Sequence, residues 1–407
     1  MRTIPGGVAP RERPPGPTRL QEVTDFGANP GNLRMCTYVP RNPQRALVVV
    51  LHGCTQTAAS YDLGAGWSTL ADRYGFMLLL PEQRAENNPK TCFNWFREND
   101  ITRGQGEAAS IRQMITTMAI EHDVDPRRVF ITGLSAGGGM TAVMLATYPE
   151  VFAAGAIIAG LPYRSATSTR QALESMFRVR VRTPREWGDL VRAASPHAGP
   201  WPRVSVWHGG ADTVVKPKNA EELLKQWTDV HGLGTQATRT ETVDGYPRHV
   251  WTDASGEVVI ESYIIPLMPH GTPLASGDGD ESYGVPGEYL IEVGISSSYH
   301  IACFWGLTEK RPAASRPRRT AESSAATQRV VEARPAKGSE PTPAPVRAEV
   351  IEQPGPGDVP PPRAGRSEGP GESAGAGRDK ARKSGVSAFV EGAIKRALEA
   401  AGMMKRR

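Results

Sequence analysis

Residues 129–140 read VFITGLSAGGGM, and the rest of the first 310 residues can be placed around this stretch. Its first three residues, valine, phenylalanine and isoleucine, favour a β-strand, and apolar residues typical of a helix follow as far as Leu145. A Gly-x-Ser-x-Gly pattern with Ser135 at its centre lies between them. In a strand–turn–helix context this pattern predicts a nucleophile elbow, a sharp turn that exposes the hydroxyl of the serine.

The two glycines of this pattern, Gly133 and Gly137, have a physical reason. A strand that reverses into a helix within a few residues brings the two backbones so close that side chains at both positions would collide. Ser135 is then expected at the N-terminus of the helix, where the helix dipole stabilises developing negative charge. A glycine-rich turn with a bystander serine is the alternative, and the apolar strand and helix on either side favour the elbow.

The composition excludes several classes of protein. Of 407 residues, 39% are hydrophobic and 22% charged, as is ordinary for a soluble globular protein. Residues 311–407 carry 19 basic and 11 acidic side chains, whereas the remainder carries 29 and 32. A mildly acidic body with a basic tail argues against a nucleic-acid partner, and no apolar run reaches the ~18 residues of a transmembrane helix. The four cysteines lack Cys-x-x-Cys spacing, so no zinc site is predicted, and no other metal or cofactor is expected.

Buried strands alternate with helices along the chain. Continuous apolar runs predict strands that are buried on both faces, and apolar residues at helical spacing predict the helices. Strands are predicted at 46–51, 76–80, 129–131, 153–159, 204–207, 238–243, 249–252 and 258–264, and helices at 67–74, 107–121, 187–194, 219–230 and 297–305. This alternation predicts an α/β protein with a mostly parallel sheet and helices on both faces.

The segments between these elements carry their own expectations. Residues 33–39 are predicted to form an edge strand, and Pro81 is expected to stop the second buried strand. Residues 84–100 are polar and predict a surface loop, which carries an aromatic island at 92–96. Residues 162–202 are irregular and rich in arginine, which predicts an insertion or lid.

Composition divides the chain into four parts. Residues 1–20 are rich in proline, glycine and arginine and predict a disordered arm, and residues 21–308 contain the catalytic domain. Residues 309–384 are dominated by proline, alanine, glycine and arginine, which predicts a disordered linker. Residues 385–407 return to apolar residues at helical spacing with charges between them, so an amphipathic helix is predicted there.

Three residues stand in the chain order nucleophile, acid, histidine: Ser135, Asp212 and His270. This is the order of the catalytic triad in α/β-hydrolases, so the α/β-hydrolase fold is predicted. Asp212 follows a buried strand, at the edge where an open α/β sheet places its ligand site. His270 is expected to take the proton of Ser135 and later to protonate the leaving alcohol, while Asp212 fixes the imidazole tautomer and stabilises the imidazolium.

Other histidines and acids compete for these roles. His52 and His208 are expected to orient turns at strand ends, and His249 lies within a predicted strand. His300 begins a predicted helix among aromatic neighbours, which favours a packed structural histidine. Asp244 is the main rival for the acid, although it lies in a turn-like Asp-Gly-Tyr-Pro segment.

The groups around the nucleophile can also be predicted. An oxyanion hole needs two backbone N–H donors, and we expect them from Ala136, directly after the nucleophile, and from Cys54, after the first buried strand. Cys54 and Cys92 are candidates for a disulfide that would pin the aromatic loop, and two reduced, buried thiols are the alternative. Trp95 and Trp207 are predicted to contact the substrate.

Several separated stretches resemble the poly(3-hydroxybutyrate) depolymerase family of esterases. They are LVVVLHGCTQTAASYDLGAGWSTLADRYGFMLLLPEQ, TCFNWF, VFITGLSAGGGMTAVMLATYPEVFAAGA, WHGGADTVVKPKNAEELLKQW, MPHGTPL and VGISSSYHIACFWGL. The resemblance covers roughly residues 20–308 and keeps the order and spacing of several motifs. It implies an α/β-hydrolase that cleaves short-chain polyester bonds, with Ser135, Asp212 and His270 at the positions of the family's triad.

The resemblance implies a serine esterase that hydrolyses poly(3-hydroxybutyrate) or its oligomers through an acyl-enzyme on Ser135. The same set of families includes feruloyl and acetylxylan esterases, so a carbohydrate esterase is the alternative enzyme. A non-catalytic granule-binding protein is the alternative of another class. The resemblance implies an extracellular protein, whereas the N-terminal residues lack the apolar stretch of a secretory signal, so a cytoplasmic, granule-associated protein is the alternative location.

The C-terminal segment departs from one pattern of the family. Secreted depolymerases that attack crystalline polymer resemble a catalytic domain, a linker and a folded substrate-binding domain. Here the linker is followed only by the predicted helix at 385–407, whose basic residues suit a surface that carries anionic groups. We therefore expect this helix to bind the surface of a polyester granule, with a partner helix in a homo-oligomer as the alternative.

Overall fold

The computed structural model describes residues 18–277 and 279–308. The predicted linker at 309–384 and the predicted helix at 385–407 lie outside the described residues, as does most of the predicted N-terminal arm. Within the described ranges, no helix is long and apolar enough to cross a membrane.

A ten-stranded sheet forms the centre of the fold. Its strands are β1 (Gln21–Val23), β2 (Arg34–Tyr38), β3 (Leu47–Leu51), β4 (Met77–Glu82), β5 (Val129–Leu134), β6 (Ala154–Ile158), β7 (Arg203–Gly209), β8 (Arg239–Val243), β9 (Tyr246–Thr252) and β10 (Val258–Ile265). They lie in the order β1-β2-β4-β3-β5-β6-β7-β10-β9-β8. The central strands from β4 to β10 pair in parallel, and antiparallel strands flank them on both sides. The predicted mostly parallel sheet is therefore confirmed.

Helices connect the strands and cover both faces of the sheet. They are α1 (Ala58–Ala65), α2 (Trp67–Tyr74), α3 (Glu98–Ile101), α4 (Gly106–His122), α5 (Ala136–Thr147), α6 (Thr169–Phe177), α7 (Pro184–Arg192), α8 (Lys218–Val230) and α9 (Ser297–Phe304). β5 leads through Ser135 directly into α5, as the strand–turn–helix pattern predicted. A separate, small parallel sheet pairs β11 (Thr272–Leu274) with β12 (Leu290–Glu292).

Successive side chains of the central strands enter two separate apolar cores. On β3, Leu47, Val49 and Leu51 belong to the core that includes α4, α5 and α8. Val48 and Val50 belong to the core on the other face, which includes α1, α2 and α9. Side chains alternate between the two faces of a strand, so a strand with a core on each side must be apolar at every position. This explains why these strands appear in the sequence as unbroken apolar runs.

Two strand predictions were wrong in detail. The strand predicted at the edge, 33–39, forms β2, but β1 pairs outside it and takes the edge position. Pro81 does not stop β4; it lies inside the strand, opposite Met35 of β2. The pairing of β4 with β3 extends only to Leu79, so the missing amide of Pro81 costs no hydrogen bond on that side.

The predicted loops contain more structure than their polar composition indicated. The aromatic island at 92–96 folds inward, and Phe93, Trp95 and Phe96 are buried instead of lying on a surface loop. The predicted insertion contains α6 as well as the helix predicted at 187–194, which is α7. Arg19, from the predicted disordered arm, lies within the described residues and donates hydrogen bonds to side chains of β2 and α2.

Candidate active site

The predicted nucleophile lies at the tip of the turn between β5 and α5. Ser135 has φ 56° and ψ −115°, a conformation that costs on the order of 1–3 kcal/mol and persists only where the surroundings enforce it. The glycines on either side permit the turn. A Cβ at Gly133 would lie 2.4 Å from the Gly137 carbonyl carbon, and a Cβ at Gly137 would lie 2.4 Å from Leu51 O. The close backbone approach expected of a nucleophile elbow is therefore present.

The turns that carry the predicted acid and base touch each other at the carboxyl ends of β7 and β10. A Cβ at Gly209 would lie 2.3 Å from Met268 O, so only glycine permits this contact. Ala211 N donates a hydrogen bond of 3.1 Å to the same carbonyl. His270 Nδ1 lies 2.7 Å from Asp212 Oδ2, and both side chains are buried. The structure thus brings together the acid and the base that the sequence singled out.

Both oxygens of the Asp212 carboxylate are held. Oδ1 accepts hydrogen bonds from the amides of Val214 and Val215, at 2.8 and 2.9 Å. Oδ2 faces two imidazoles, His270 at 2.7 Å and His208 at 3.3 Å. Burial alone raises the pKa of Asp212, but the interactions with His208 and His270 outweigh it and hold the pKa below its usual range. The ionised carboxylate therefore accepts a hydrogen bond from Nδ1–H of His270, which leaves Nε2 available as a base.

The predicted nucleophile and the predicted base line one narrow cleft. Its lining residues are Gly53, Cys54, Leu134, Ser135, His270 and Tyr289. The Tyr289 ring stands edge-on to the imidazole, with 5.8 Å between the ring centroids. Tyr289 reaches this position because the pairing of β11 with β12 brings the residue before β12 next to the turn of the base. Apart from the reacting side chains, the lining is small, apolar or aromatic.

Two backbone amides at the cleft are available as donors. In the described part of the chain, the amides of Cys54 and Ala136 have no acceptor. The amides next to them are already used, because Gly53 N donates to a glutamine side chain at 2.9 Å and Ser135 N donates to Ile158 O at 2.9 Å. The two free amides are the pair that the sequence predicted for an oxyanion hole.

The turn of Cys54 is tied to the loop that carries the aromatic island. A disulfide joins Cys54 to Cys92. Next to it, Thr55 N donates a hydrogen bond of 2.7 Å to Lys90 O. The two loops are therefore linked by a covalent bond and by a backbone hydrogen bond within two residues of a predicted oxyanion donor.

A buried carboxylate that the sequence analysis missed lies beneath these loops. Glu107 accepts hydrogen bonds from Gln83 Nε2 at 2.6 Å, from Asn94 N at 2.8 Å and from Asn94 Nδ2 at 2.6 Å. Gln83 N in turn donates to His52 Nε2 at 3.1 Å, and burial lowers the pKa of His52. Burial, with the charge of nearby Asp100, raises the pKa of Glu107 to about 8. A continuous polar network thus connects α4 with both loops.

A sequence signal for Glu107 exists, whereas none exists for Tyr289. Glu107 precedes Ile111, Met114 and Met118 at spacings of one helical face, and these three residues are buried. A charged residue on the apolar face of a helix indicates a buried polar partner. The place of Tyr289 depends on a pairing between two short strands, which local sequence does not reveal.

The rival histidine and the rival acid pair with each other. His300 Nε2 lies 2.7 Å from Asp244 Oδ2, and neither residue lines the cleft. Together with Glu281 they bring three potential metal-ligand atoms within 4.8 Å of one another, and we assign no ion to this group. His249 Nδ1 lies 2.9 Å from Thr240 Oγ1 on the neighbouring strand. Among the described histidines, His270 is therefore the one that lines the cleft together with the predicted nucleophile.

The two predicted tryptophan contacts are not found in the cleft lining. Trp207 is fully buried, its ring stacks on Tyr263 with 3.8 Å between centroids, and its indole N–H donates to Ser205 Oγ at 2.8 Å. The prediction of a substrate contact at Trp207 is therefore wrong, because the alternation of β7 turns its ring into the core. Trp95 is also buried and packs against Gly139 of α5, where a Cβ would lie 2.7 Å from its Cγ.

Comparisons with known proteins match the chain to esterases and to a depolymerase. The family model described as Esterase PHB depolymerase matches residues 36–244. The chain is 48% identical over 291 residues to Poly(3-hydroxyalkanoate) depolymerase C of Paucimonas lemoignei, which covers 71% of this chain and 70% of that protein. It is 38% identical over 297 residues to Feruloyl esterase B of Neurospora crassa, covering 71% of this chain and 92% of the relative. The solved acetyl xylan esterase from Aspergillus awamori matches with a TM-score of 0.59 at 27% identity, over 71% of this chain and 99% of that one. The chain therefore belongs to the PHB depolymerase family of serine esterases, with an α/β-hydrolase fold.

Proposed function

We propose that this esterase hydrolyses poly(3-hydroxybutyrate) or its oligomers through an acyl-enzyme on Ser135. The observation that carries the proposal is the cleft shared by Ser135 and His270, with Asp212 2.7 Å from the far side of the imidazole. The relative at 48% identity is named for a poly(3-hydroxyalkanoate), whereas relatives named for acetylxylan and feruloyl esters are 36% and 38% identical. A narrow cleft with a small, apolar lining suits a short aliphatic acyl unit.

In the proposed acylation, His270 Nε2 takes the proton of Ser135 Oγ while the oxygen attacks the ester carbonyl. Asp212 accepts a hydrogen bond from Nδ1–H of the imidazole and stabilises the imidazolium. The carbonyl oxygen becomes negative in the tetrahedral intermediate, where the amides of Cys54 and Ala136 donate to it. When the intermediate collapses, the bond to the ester oxygen at C3 of the leaving unit breaks and the imidazolium protonates this oxygen, so that it leaves as a 3-hydroxyl group while the acyl group remains on Ser135.

In the proposed deacylation, water takes the place of the released alcohol. His270 removes a proton from this water, and the hydroxide attacks the acyl carbonyl to form a second tetrahedral intermediate. The Ser135 oxygen then leaves with the proton from the imidazolium. The products are a 3-hydroxycarboxylic acid and the original enzyme, so no external oxidant, metal or cofactor enters the balance.

The alternative substrate class is an ester linked to carbohydrate. The feruloyl esterase at 38% identity and the structural match to an acetyl xylan esterase favour it. The test measures kcat/KM of the full chain for a hydroxybutyrate trimer, methyl ferulate and acetylated xylan side by side, with Ser135→Ala as the control for contaminating esterases. We expect kcat/KM for the trimer to exceed that for the other two substrates by at least about tenfold. Such a factor corresponds to about 1.4 kcal/mol of additional transition-state stabilisation. A larger kcat/KM for methyl ferulate or acetylated xylan would contradict the proposed substrate class, and the proposed esterase activity would remain.

The non-catalytic alternative, a protein that only binds granules, is separated by the same experiment. It predicts no turnover of any of the three substrates above the Ser135→Ala background. The proposed esterase predicts turnover that disappears with the serine hydroxyl.

The predicted helix at 385–407 is proposed as a tether to the polyester granule, and it lies outside the described residues. Its support is the amphipathic and basic pattern of the sequence. Deleting residues 384–407 is expected to reduce co-sedimentation with granules and to leave hydrolysis of a soluble p-nitrophenyl ester unchanged. Equal sedimentation of the full and truncated chains would refute the tether.

An extracellular place of action is proposed from the family, with a cytoplasmic, granule-associated protein as the alternative. Fractionation of the source cells, followed by detection of the protein in the medium or with the granules, decides between them.

A further inference from the structure

A second buried histidine adjoins the proposed catalytic acid. His208 is the penultimate residue of β7 and is fully buried. It follows Val204 and Val206 at alternate positions, so it points to the same face of the sheet, where these valines pack in the core that includes α8. The reaction described above gives His208 no role, although an imidazole at this depth is expensive to bury without a partner.

The hydrogen bonds of His208 define its tautomer. Nε2 lies 2.8 Å from Val215 O and 3.3 Å from Asp212 Oδ2. Both oxygens are acceptors, so Nε2 must carry the proton. Nδ1 is buried and has no hydrogen-bond partner among residues 18–277 and 279–308, which agrees with a ring protonated on Nε2 alone. The N–H donates to Val215 O, and Asp212 Oδ2 lies beside this bond.

The contact with Val215 closes a ring of interactions around the acid. Val215 accepts from His208 through its carbonyl and donates through its amide to Asp212 Oδ1 at 2.9 Å. Val214 N donates to the same oxygen at 2.8 Å. The short turn from Asp212 to Val215 is therefore held at its far end by a side chain of the rigid strand β7. The orientation of the carboxylate toward His270 depends on this turn, because its amides hold Oδ1 while Oδ2 faces the base.

We propose that His208 is a positioning residue for Asp212: it clamps the turn from Asp212 to Val215 and sets a second imidazole N–H beside Oδ2, so that the carboxylate stays aimed at His270. The inference rests on the proposed triad. Among the residues that the structure describes, two titratable side chains face the Asp212 carboxylate, His208 from β7 and His270 from the loop after β10. Both interactions lower the pKa of Asp212 against the effect of burial, which agrees with a stabilising role for His208.

The test compares three substitutions of His208 in the full chain with a soluble p-nitrophenyl ester as substrate. His208→Phe keeps a ring but removes the donor, His208→Asn keeps an amide that is too short to reach Val215 O, and His208→Gln places an amide nitrogen near the position of Nε2. We expect Phe and Asn to lower kcat about tenfold or more with KM unchanged, because the buried hydrogen bond that holds the turn of the acid is lost. We expect Gln to restore most of the rate.

The pH profile of kcat/KM separates positioning from a general loss of structure. Without the clamp, the Asp212 carboxylate is less well aimed at His270 and stabilises its imidazolium less, so the acid limb of the profile should move to lower pH in His208→Phe and His208→Asn. His249→Phe is the matched control, since His249 contacts Thr240 and not the acid, and it should leave both the rate and the limb unchanged. If His208→Phe does not fold, the comparison of Asn with Gln decides.

Two results would overturn the inference, and a third would overturn its basis. Wild-type kcat and an unmoved acid limb in both His208→Phe and His208→Asn would contradict the positioning role. Equal loss in His208→Gln and His208→Asn would also contradict it, because the donor would then be irrelevant. Asp212→Asn is measured in parallel: wild-type turnover in that variant would refute the proposed triad, whereas an inactive Asp212→Asn beside wild-type-like His208 variants would refute only the role of His208.

Discussion

Ser135 holds a backbone conformation that the surrounding backbone enforces. The carbonyls of Leu51 and His52 lie where a side chain at Gly137 would have to go, 2.4 and 2.6 Å from its Cβ. These atoms belong to β3 and its following turn, which also carries the Cys54 amide. The conformation of the serine, the start of α5 and one predicted oxyanion donor are therefore coupled within a few ångströms.

Gly137→Ala should break this arrangement. The added methyl group meets backbone atoms that cannot rotate away, so we expect an unfolding free energy lower by about 3 kcal/mol or more and a severe loss of ester hydrolysis. Gly234→Ala is the matched control, since a Cβ there meets nothing within 4 Å. Urea unfolding and p-nitrophenyl ester assays measure both effects. A Gly137→Ala variant as stable as Gly234→Ala would show that the elbow is less tightly packed than described.

The assignment of the base is tested by substituting two histidines. His270→Ala should reduce kcat by nearly as much as the loss of the nucleophile, on the order of 10⁶, because members of a triad act as a unit. His300→Ala should leave kcat close to wild type, since His300 contacts Asp244 outside the cleft. Steady-state kinetics on a soluble ester are sufficient. The base is wrongly assigned if His300→Ala is the more severe change.

The positions of the candidate site residues were easier to predict from the sequence than their surroundings. Ser135, Asp212 and His270 appear in a recognisable order, and each of them lies within three residues of a glycine. The substrate contact predicted at Trp207 failed, because the direction of a strand side chain depends on which core lies on each side. Glu107 was missed because it lies in the first turn of α4, where an acidic residue is also favoured by the helix dipole and needs no buried partner.

At the scale of elements, the site depends on loops that are held by links outside the strands themselves. The turn after β3 and the aromatic loop after β4 are joined by the disulfide between Cys54 and Cys92. They are also joined through Gln83 and Glu107, which connect His52 with Asn94. One link is covalent and the other is polar, so each can be removed while the other remains.

Removing the disulfide should affect both stability and rate. In the chain-entropy model a loop of this length contributes roughly 3–4 kcal/mol, so the double variant Cys54→Ser, Cys92→Ser should lose about that much unfolding free energy. Its kcat should also fall, because the Cys54 amide loses an anchor. Cys303→Ser, which removes an exposed free thiol, should change neither. Peptide mapping without reductant is the direct measurement, and finding both cysteines as free thiols would eliminate the disulfide.

Glu107 should give the stability of the protein a pH dependence of known sign. Its pKa is about 8 in the folded protein and close to 4.5 when exposed, so the folded state binds the proton more strongly. The stabilisation is complete below pH 4.5 and disappears as the pH rises through 8, with a slope of up to about 1.4 kcal/mol per pH unit. The stability difference between wild type and Glu107→Gln should therefore fall between pH 5 and pH 8.

Urea unfolding at those two pH values measures this difference. Glu121→Gln, at an exposed position on the same helix, provides the control. The stability difference between wild type and this variant should be the same at both pH values. A difference for Glu107→Gln that does not change with pH would mean that the carboxyl group titrates as an exposed one does.

Element prediction succeeded where one physical rule dominated. Apolar runs at 46–51 and 153–159 became strands because burial on two faces leaves no position for a polar residue. Helices α2 and α4 followed their apolar periodicity closely. The short β1, β11 and β12 were missed, because three residues carry no periodicity and such strands depend on their partners.

At the scale of the whole molecule, the parallel sheet explains why distant residues meet. β3, β5, β7 and β10 run in one direction, so their carboxyl ends lie along one edge of the sheet. The Cys54 turn, Ser135, Asp212 and the loop of His270 each follow one of these ends. Chain positions separated by more than 200 residues thus converge on one cleft. Chain order was enough to predict the loops of Ser135, Asp212 and His270, but it did not predict the loop of Tyr289.

The most direct test of the central claim is covalent labelling of the intact protein with a phosphonofluoridate, followed by peptide mapping by mass spectrometry. Such a reagent captures the serine whose hydroxyl is activated by a neighbouring base. We expect one label per chain, located on the peptide that contains Ser135, with loss of ester hydrolysis in proportion to labelling and no label in Ser135→Ala. A label on another residue, or hydrolysis that persists in the fully labelled protein, would contradict the acyl-enzyme on Ser135.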